Sequence, residues 1–152
     1  MRLIIPFVAS CALAGAALAA VPTEAPSTGF VGNIDDLVRQ NQAFRRVLYT
    51  GRHTQLVVMD VKAGESIGRE VHDVDQCLFF VSGQGQVVMG GRTTDVHERD
   101  AVCVPAGVTH DVKNTGPSSL KLFTTYSPPE HPAGTVHETK SAAEKAAHEH
   151  AR

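Results

Sequence analysis

The chain has 152 residues and a formal net charge of −2. It contains no basic patch with interleaved aromatic residues, so its charge gives no case for a nucleic-acid partner. The length suits one ordinary domain, and no internal repeat is evident. These bounds are those of one small globular domain.

The N-terminus carries the features of an export signal. A short basic start precedes an apolar run that ends at Ala19, and Ala17 and Ala19 match the A-x-A pattern of a signal-peptidase site. The run is short for a membrane span, which needs about 20 apolar residues. We therefore predict a cleaved signal over residues 1–19, a periplasmic or secreted protein and no stable membrane span after cleavage. A retained anchor helix and lipoprotein cleavage at Cys11, within the sequence VASC, are the alternatives.

After cleavage the chain keeps two cysteines, Cys77 and Cys103. Two cysteines do not make a disulfide framework, although export predicts an oxidising compartment. A disulfide between Cys77 and Cys103 is one interpretation. The interpretation that we favour is two separate, buried and inert thiols.

A Pro-, Ser- and Thr-rich leader over residues 20–30 is expected to be flexible. A short helix over about Ile34 to Gln40 follows, with Asn33 as its cap and acidic residues in its first turn. This helix opens the main domain, predicted over residues 31–127, and we expect it to pack on the outside of the fold.

Short runs rich in β-branched and aromatic residues fill the chain from Phe44 to Ser127, beginning with RRVLYT, TQLVVMDV and QCLFFVSG. Gly, Pro, Asn and Asp separate the runs at roughly ten-residue spacing. No long helical pattern interrupts them. The pattern predicts an all-β fold, an antiparallel jelly-roll β-barrel with a short helix at each end.

Residues 128–152 form a separate predicted segment. A Pro-rich cluster begins it and cannot form a central strand, so we expect an extended arm along the barrel. The end, SAAEKAAHEHAR, predicts a short polar helix. This helix lacks an apolar stripe and is expected to fray in isolation.

Four polar side chains form a candidate metal site. Glu70, His72 and Gln76 are at even offsets, so an extended strand without a bulge would point them to the same face. His110 follows a Pro-Ala-Gly turn about 40 residues later and would enter the same interior. Four polar groups aimed into one apolar interior are costly without a partner. Two imidazoles, a carboxylate and an amide oxygen suit one divalent first-row metal, and manganese, iron and zinc remain open.

These motifs resemble those of the cupin superfamily. Gly64, Glu70-x-His72, Gln76 and Gly83 follow the spacing of the first cupin motif, and Pro105, Gly107, His110 and Asn114 follow that of the second. Glu70 stands at the position of the first motif's first histidine, and Gln76 at that of its glutamate. Small single-domain cupins of the mannose-6-phosphate isomerase-like subgroup look similar.

The resemblance implies a homodimer. Phe80, Tyr126 and His131 are candidate lining residues of a pocket beside the metal. With a metal in place we expect a small metalloenzyme, isomerase-like or dioxygenase-like, that acts on a small oxygenated molecule. No catalytic base stands out. A module that binds a small ligand without turnover and a barrel whose metal only stabilises the fold are the alternatives.

Overall fold

The structure is a computed structural model that describes residues 28–150. The predicted signal over residues 1–19, the candidate lipoprotein Cys11 and most of the predicted leader lie outside the described residues. Within residues 28–150, no helix is both long enough and apolar enough to cross a membrane.

Nine strands and two helices follow one another along the described chain. They are α1 (Ile34–Gln40), β1 (Arg45–Thr50), β2 (Gln55–Val61), β3 (Asp75–Ser82), β4 (Gln84–Met89), β5 (Arg92–His97), β6 (Ala101–Val104), β7 (His110–Asn114), β8 (Leu120–Ser127), β9 (Val136–His137) and α2 (Lys140–His150).

Helix α1 confirms the helix predicted from the sequence. The Asn33 Oδ1 atom accepts hydrogen bonds from the backbone N–H groups of Asp35 and Asp36, at 3.1 and 3.3 Å. These bonds satisfy two of the amide groups that have no partner within the helix itself. Val38 is fully buried and packs with Val58 and Val81 in a small apolar cluster. The helix is therefore held by both its cap and one buried side chain.

The strands form two antiparallel sheets. One has six strands in the order β6-β3-β8-β2-β1-β9, and the other has three in the order β5-β4-β7. Both sheets contribute to one core, which includes Leu78, Leu120 and Leu122 of the larger sheet and Val87 and Val112 of the smaller. Complete burial of each such side chain contributes about 1.5–3 kcal/mol. The architecture confirms the predicted antiparallel jelly roll, built as two facing sheets.

Cys77 and Cys103 form a disulfide, so the favoured prediction of two separate thiols was wrong. The cause is strand register. Cys77 on β3 lies directly opposite Cys103 on β6, with their Cα atoms 4.1 Å apart. The sequence shows neither which strands are neighbours nor how they are aligned, and a bridge requires both.

The C-terminal segment is packed onto the larger sheet. Strand β9 pairs with β1, where His137 lies opposite Arg45. Helix α2 follows, and its Ala143 is 6% exposed and belongs to the main core. The sequence pattern of α2 shows no apolar stripe, yet the helix contributes this one side chain to the core. The Thr139 Oγ1 atom caps α2 by accepting a hydrogen bond from the Ala142 N–H at 3.2 Å.

Candidate metal centre

The candidate metal centre lies where β3 and β7 begin. Glu70 and His72 precede β3, and Gln76 is its second residue. The chain bends at Asp73–Val74, so the three side chains do not lie on one continuous strand. The prediction that they point to the same face required such a strand, and this condition is not met. The bend separates Glu70 and His72 from Gln76. Hydrogen bonds to the chain around His110, rather than strand alternation, therefore fix the first two residues.

A short backbone bridge joins Glu70 to His110. The Glu70 N–H donates to the His110 carbonyl and the His110 N–H donates to the Glu70 carbonyl, both at 2.9 Å. The Gly107 N–H donates to the His72 carbonyl at 2.8 Å. Gly107 has φ +78°, a left-handed conformation that glycine adopts without the steric cost of a Cβ. The turn that leads to His110 is thus also the support for His72.

The three charged or ionisable candidates come together. Ligand atoms of Glu70, His72 and His110 all lie within 4.8 Å of one another. The Glu70 Oε2 and His72 Nε2 atoms are 3.2 Å apart. One carboxylate oxygen and two imidazole nitrogens at this separation could hold a metal ion.

In both imidazoles, the Nδ1 atom has a hydrogen-bond partner on the side away from the candidate metal position. The His110 Nδ1–H donates to the Val108 carbonyl at 3.1 Å, which leaves the lone pair of Nε2 available. The His72 Nδ1 atom lies 2.9 Å from Glu130 Oε1. Metal-ligating histidines commonly donate their second nitrogen in this way to a carbonyl or a carboxylate. The arrangement therefore directs both Nε2 atoms towards the site.

Two buried polar atoms at the site have no hydrogen-bond partner within the described part of the chain. They are His110 Nε2 and Gln76 Oε1. The Gln76 amide donates through Nε2 to the Tyr126 hydroxyl at 3.0 Å, so its oxygen is the free end. Leaving a buried polar group unsatisfied costs about 1–3 kcal/mol. A divalent cation held by Glu70, His72 and His110 would satisfy the His110 Nε2 atom, and the donor set therefore fits such a metal.

Charges from neighbouring residues keep the site ionised. Burial raises the pKa of the Glu70 carboxyl, but the hydrogen bond with His72 and the charge of Arg45 outweigh burial and lower the pKa below its usual range. Arg45 Nη2 lies 3.2 Å from Glu70 Oε1. Burial lowers the pKa of His72, but Glu70 and Glu130 outweigh burial and raise it. The carboxylate is thus available as an anionic ligand.

A cleft of about 590 Å³ opens beside Glu70 and His72. Its walls come from the start of β1, the segment before β3 and the C-terminal segment. Charged, imidazole and apolar side chains line it together, namely Arg45, Arg69, Val71, Glu130, His131, Pro132, His137, Ala143, Ala146 and Ala147.

The three candidate pocket residues have different positions. His131 lines the cleft. Tyr126 is fully buried behind the site, where its ring lies 5.5 Å from that of His72 and 5.0 Å from that of His131. Phe80 is 2% exposed and belongs to the hydrophobic core.

Two residues of the site were not found from the sequence. Arg45 lies 25 positions before Glu70 in the sequence and is 7% exposed. Glu130 lies 58 positions after His72. The Pro-rich sequence around Glu130 was the only sign that this segment could reach the site, since such a segment can lie extended across a site without being part of a sheet.

Comparisons with known proteins agree with this fold and site. The cupin domain family model matches residues 57–126. The chain is 46% identical to the protein YrkC of Bacillus subtilis over 121 residues, which cover 75% of this chain and 65% of YrkC. It is 35% identical to the protein L612 of Acanthamoeba polyphaga mimivirus over 112 residues, 70% of each chain.

A solved structure, that of BH2720 from Bacillus halodurans, superposes with a TM-score of 0.76 at 45% identity and covers 81% of this chain and 98% of that protein. The chain therefore belongs to the cupin superfamily. Its Glu70, His72 and His110 form a triad able to hold a divalent metal. The chain spans about two thirds of the length of YrkC.

Proposed function

We propose that the chain is an exported metalloenzyme of the cupin superfamily that acts on a small oxygenated molecule. Glu70, His72, Gln76 and His110 would hold one divalent ion. The observation that carries the proposal is the buried, unsatisfied His110 Nε2 atom within 4.8 Å of ligand atoms of Glu70 and His72.

The ligand set favours manganese, iron or zinc. Imidazole nitrogens and oxygen ligands suit borderline divalent metals, and one carboxylate leaves the bound ion with net positive charge. Such an ion supplies Lewis-acid chemistry, or in the case of iron or manganese a centre for dioxygen chemistry. Isomerase-like and dioxygenase-like reactions are both compatible with this set.

His131 and Tyr126 are suited to orient a ligand rather than to remove its proton. Burial, followed by the charge of Arg45, lowers the pKa of His131 to about 3, so this imidazole is neutral and weakly basic at neutral pH. Burial raises the pKa of the Tyr126 hydroxyl, which stays protonated. An efficient general base has a pKa near the working pH. Neither residue meets that requirement.

The lack of a suitable base in His131 and Tyr126 favours one alternative, a cupin that captures a small ligand through its metal without turnover. Such a protein needs an orienting cleft but no base. Turnover by the metal-loaded protein would decide between the two functions, since both require the same metal.

Export and dimerisation are part of the proposal. The Cys77–Cys103 disulfide supports export, because disulfides persist mainly in oxidising compartments. The predicted signal over residues 1–19 would direct the chain to the periplasm or the medium. The cupin resemblance supports a homodimer, which light scattering on the purified protein would test.

The test begins with protein purified from the periplasm or the medium without added metal. Elemental analysis should find about one manganese, iron or zinc ion per chain. The metal-loaded protein is then screened against small carbonyl compounds and sugars, with product analysis and dioxygen consumption as readouts, and His110→Ala serves as the metal-free control. A folded protein that takes up no metal even after reconstitution would overturn the proposal. Full metal occupancy with no turnover would favour the binding module.

A further inference from the structure

Three buried nitrogen atoms in the wall of the cleft have no hydrogen-bond partner within residues 28–150. They are Arg45 Nε, His131 Nε2 and His137 Nδ1. The metal ligand set uses none of them. The guanidinium always donates, and the two imidazole nitrogens can each donate or accept a hydrogen bond. Three such atoms on residues that line one cleft are suited to the oxygen atoms of a bound ligand.

The structure holds these groups in place. The Arg45 side chain is anchored on Glu70, and His137 lies opposite Arg45 in the β1–β9 pair. Gln55 fixes the backbone of His131 by accepting from its N–H at 3.0 Å and donating to its carbonyl at 2.7 Å. Groups held before a ligand arrives lose little conformational freedom when it binds.

The charge of the cleft favours an anion once the metal is bound. The positive charges of Arg45 and Arg69 balance the negative charges of Glu70 and Glu130 among the lining residues. A divalent ion at Glu70 then leaves an excess of two positive charges. A carboxylate can pair with a guanidinium through charge-assisted hydrogen bonds.

Part of the cleft lining is apolar. Helix α2 contributes Ala143, Ala146 and Ala147 to it, and Val71 and Pro132 add further apolar surface. Val71 is 59% exposed. An aliphatic group placed against this wall would remove apolar surface from water on both sides.

We propose that the cleft binds a short-chain aliphatic carboxylate, with its head at Arg45, His131 and His137 and its tail along the alanines of α2. This inference deepens the proposed function and depends on it, because the excess positive charge requires the bound metal. It identifies the small oxygenated ligand as an organic acid with a short apolar chain.

Isothermal titration of the zinc-loaded protein with acetate, butyrate and hexanoate tests the proposal. Affinity should rise along the series, by about fourfold for each added methylene that is buried. Butyramide and hexanamide have the same shape without the charge and should bind at least tenfold more weakly. Equal binding of the acids and the amides, or no dependence on chain length, would overturn the proposal.

Three variants locate the binding. His137→Phe removes one head contact and should weaken butyrate binding at least tenfold. Ala147→Glu places a charge on an exposed position of α2 and should weaken hexanoate binding more than acetate binding. His53→Gln, at an exposed turn position outside the cleft, is the control and should bind like the parent. Parent-like carboxylate binding by both cleft variants would overturn the assignment.

The zinc content of each sample is measured first, so that two failures stay distinct. Zinc uptake without carboxylate binding would overturn this inference alone. Failure of the folded protein to take up zinc would overturn the proposed function, and this inference with it.

Discussion

His72 Nδ1 lies 2.9 Å from Glu130 Oε1, and this contact joins the segment before β3 to the C-terminal segment. Glu130 therefore fixes the orientation of the His72 ring at Nδ1, while Nε2 faces Glu70. The contact makes the C-terminal segment part of the metal centre, although the four candidate ligands all lie in the strand-rich domain.

Glu130→Gln should weaken metal binding about 10- to 100-fold, because the amide no longer orients the His72 ring or increases its basicity as a carboxylate does. Competition titration with a chromogenic chelator measures the change. Glu65→Gln, at an exposed position whose backbone alone is hydrogen-bonded, is the matched control. Equal metal affinity in the two variants would show that Glu130 has no role at the site.

Arg45→Met should lower the free energy of unfolding by about 3 kcal/mol in the metal-free protein, because it leaves the Glu70 carboxylate without its cationic partner. Bound zinc should reduce this loss, since the metal supplies positive charge at the same carboxylate. Urea denaturation with and without zinc measures both values. The double variant Arg45→Met/Glu70→Gln should recover stability in the absence of zinc. An equal loss of stability in Arg45→Met without zinc, in Arg45→Met with zinc and in the double variant would contradict the ion-pair explanation.

Replacing Cys77 and Cys103 together by serine should lower the free energy of unfolding by about 3 kcal/mol, because the bridge restricts the unfolded chain. Chemical denaturation with and without a reductant gives the measurement. Reductant should destabilise the parent and leave the double variant unchanged. Peptide mapping without reduction should recover the two cysteines in one linked pair, and separate free thiols would disprove the bridge.

Asp60 should make stability fall in acid. Its side chain is 1% exposed and lies 2.8 Å from Lys62 Nζ and 3.2 Å from Lys121 Nζ. Burial raises the pKa of the Asp60 carboxyl, but these lysines outweigh burial and lower it. A folded-state pKa below that of the unfolded chain gives a contribution that is present above the unfolded value, about 3.9 for Asp. The contribution is lost as the pH falls through the folded value.

Denaturation in urea at several pH values tests this dependence. Asp60→Asn should be less stable than the parent at neutral pH, and the difference should narrow as the pH falls below about 4. Asp95→Asn, at an exposed position of β5, should follow the parent. A constant difference between Asp60→Asn and the parent across the acid range would contradict the lowered pKa.

Local patterns were enough to predict the strands and helix α1. The meeting of Glu70, His72 and His110 was expected from motif spacing, but the strand alternation used to argue it is interrupted by the bend at Asp73–Val74. Turn residues and hydrophobic runs act over a few positions, so the sequence shows them directly. The disulfide and the Arg45–Glu70 pair could not be predicted, because each depends on which strands are neighbours and in which register. The packing of α2 was missed for another reason: Ala143 adds too little apolar area to form a visible stripe.

A crystal structure of the zinc-loaded protein, with anomalous difference maps on both sides of the zinc absorption edge, tests the metal centre most directly. The account predicts one edge-dependent peak per chain, bound by a Glu70 carboxylate oxygen, His72 Nε2, Gln76 Oε1 and His110 Nε2. A peak bound by other residues, or a peak that persists at full height in His110→Ala, would contradict it.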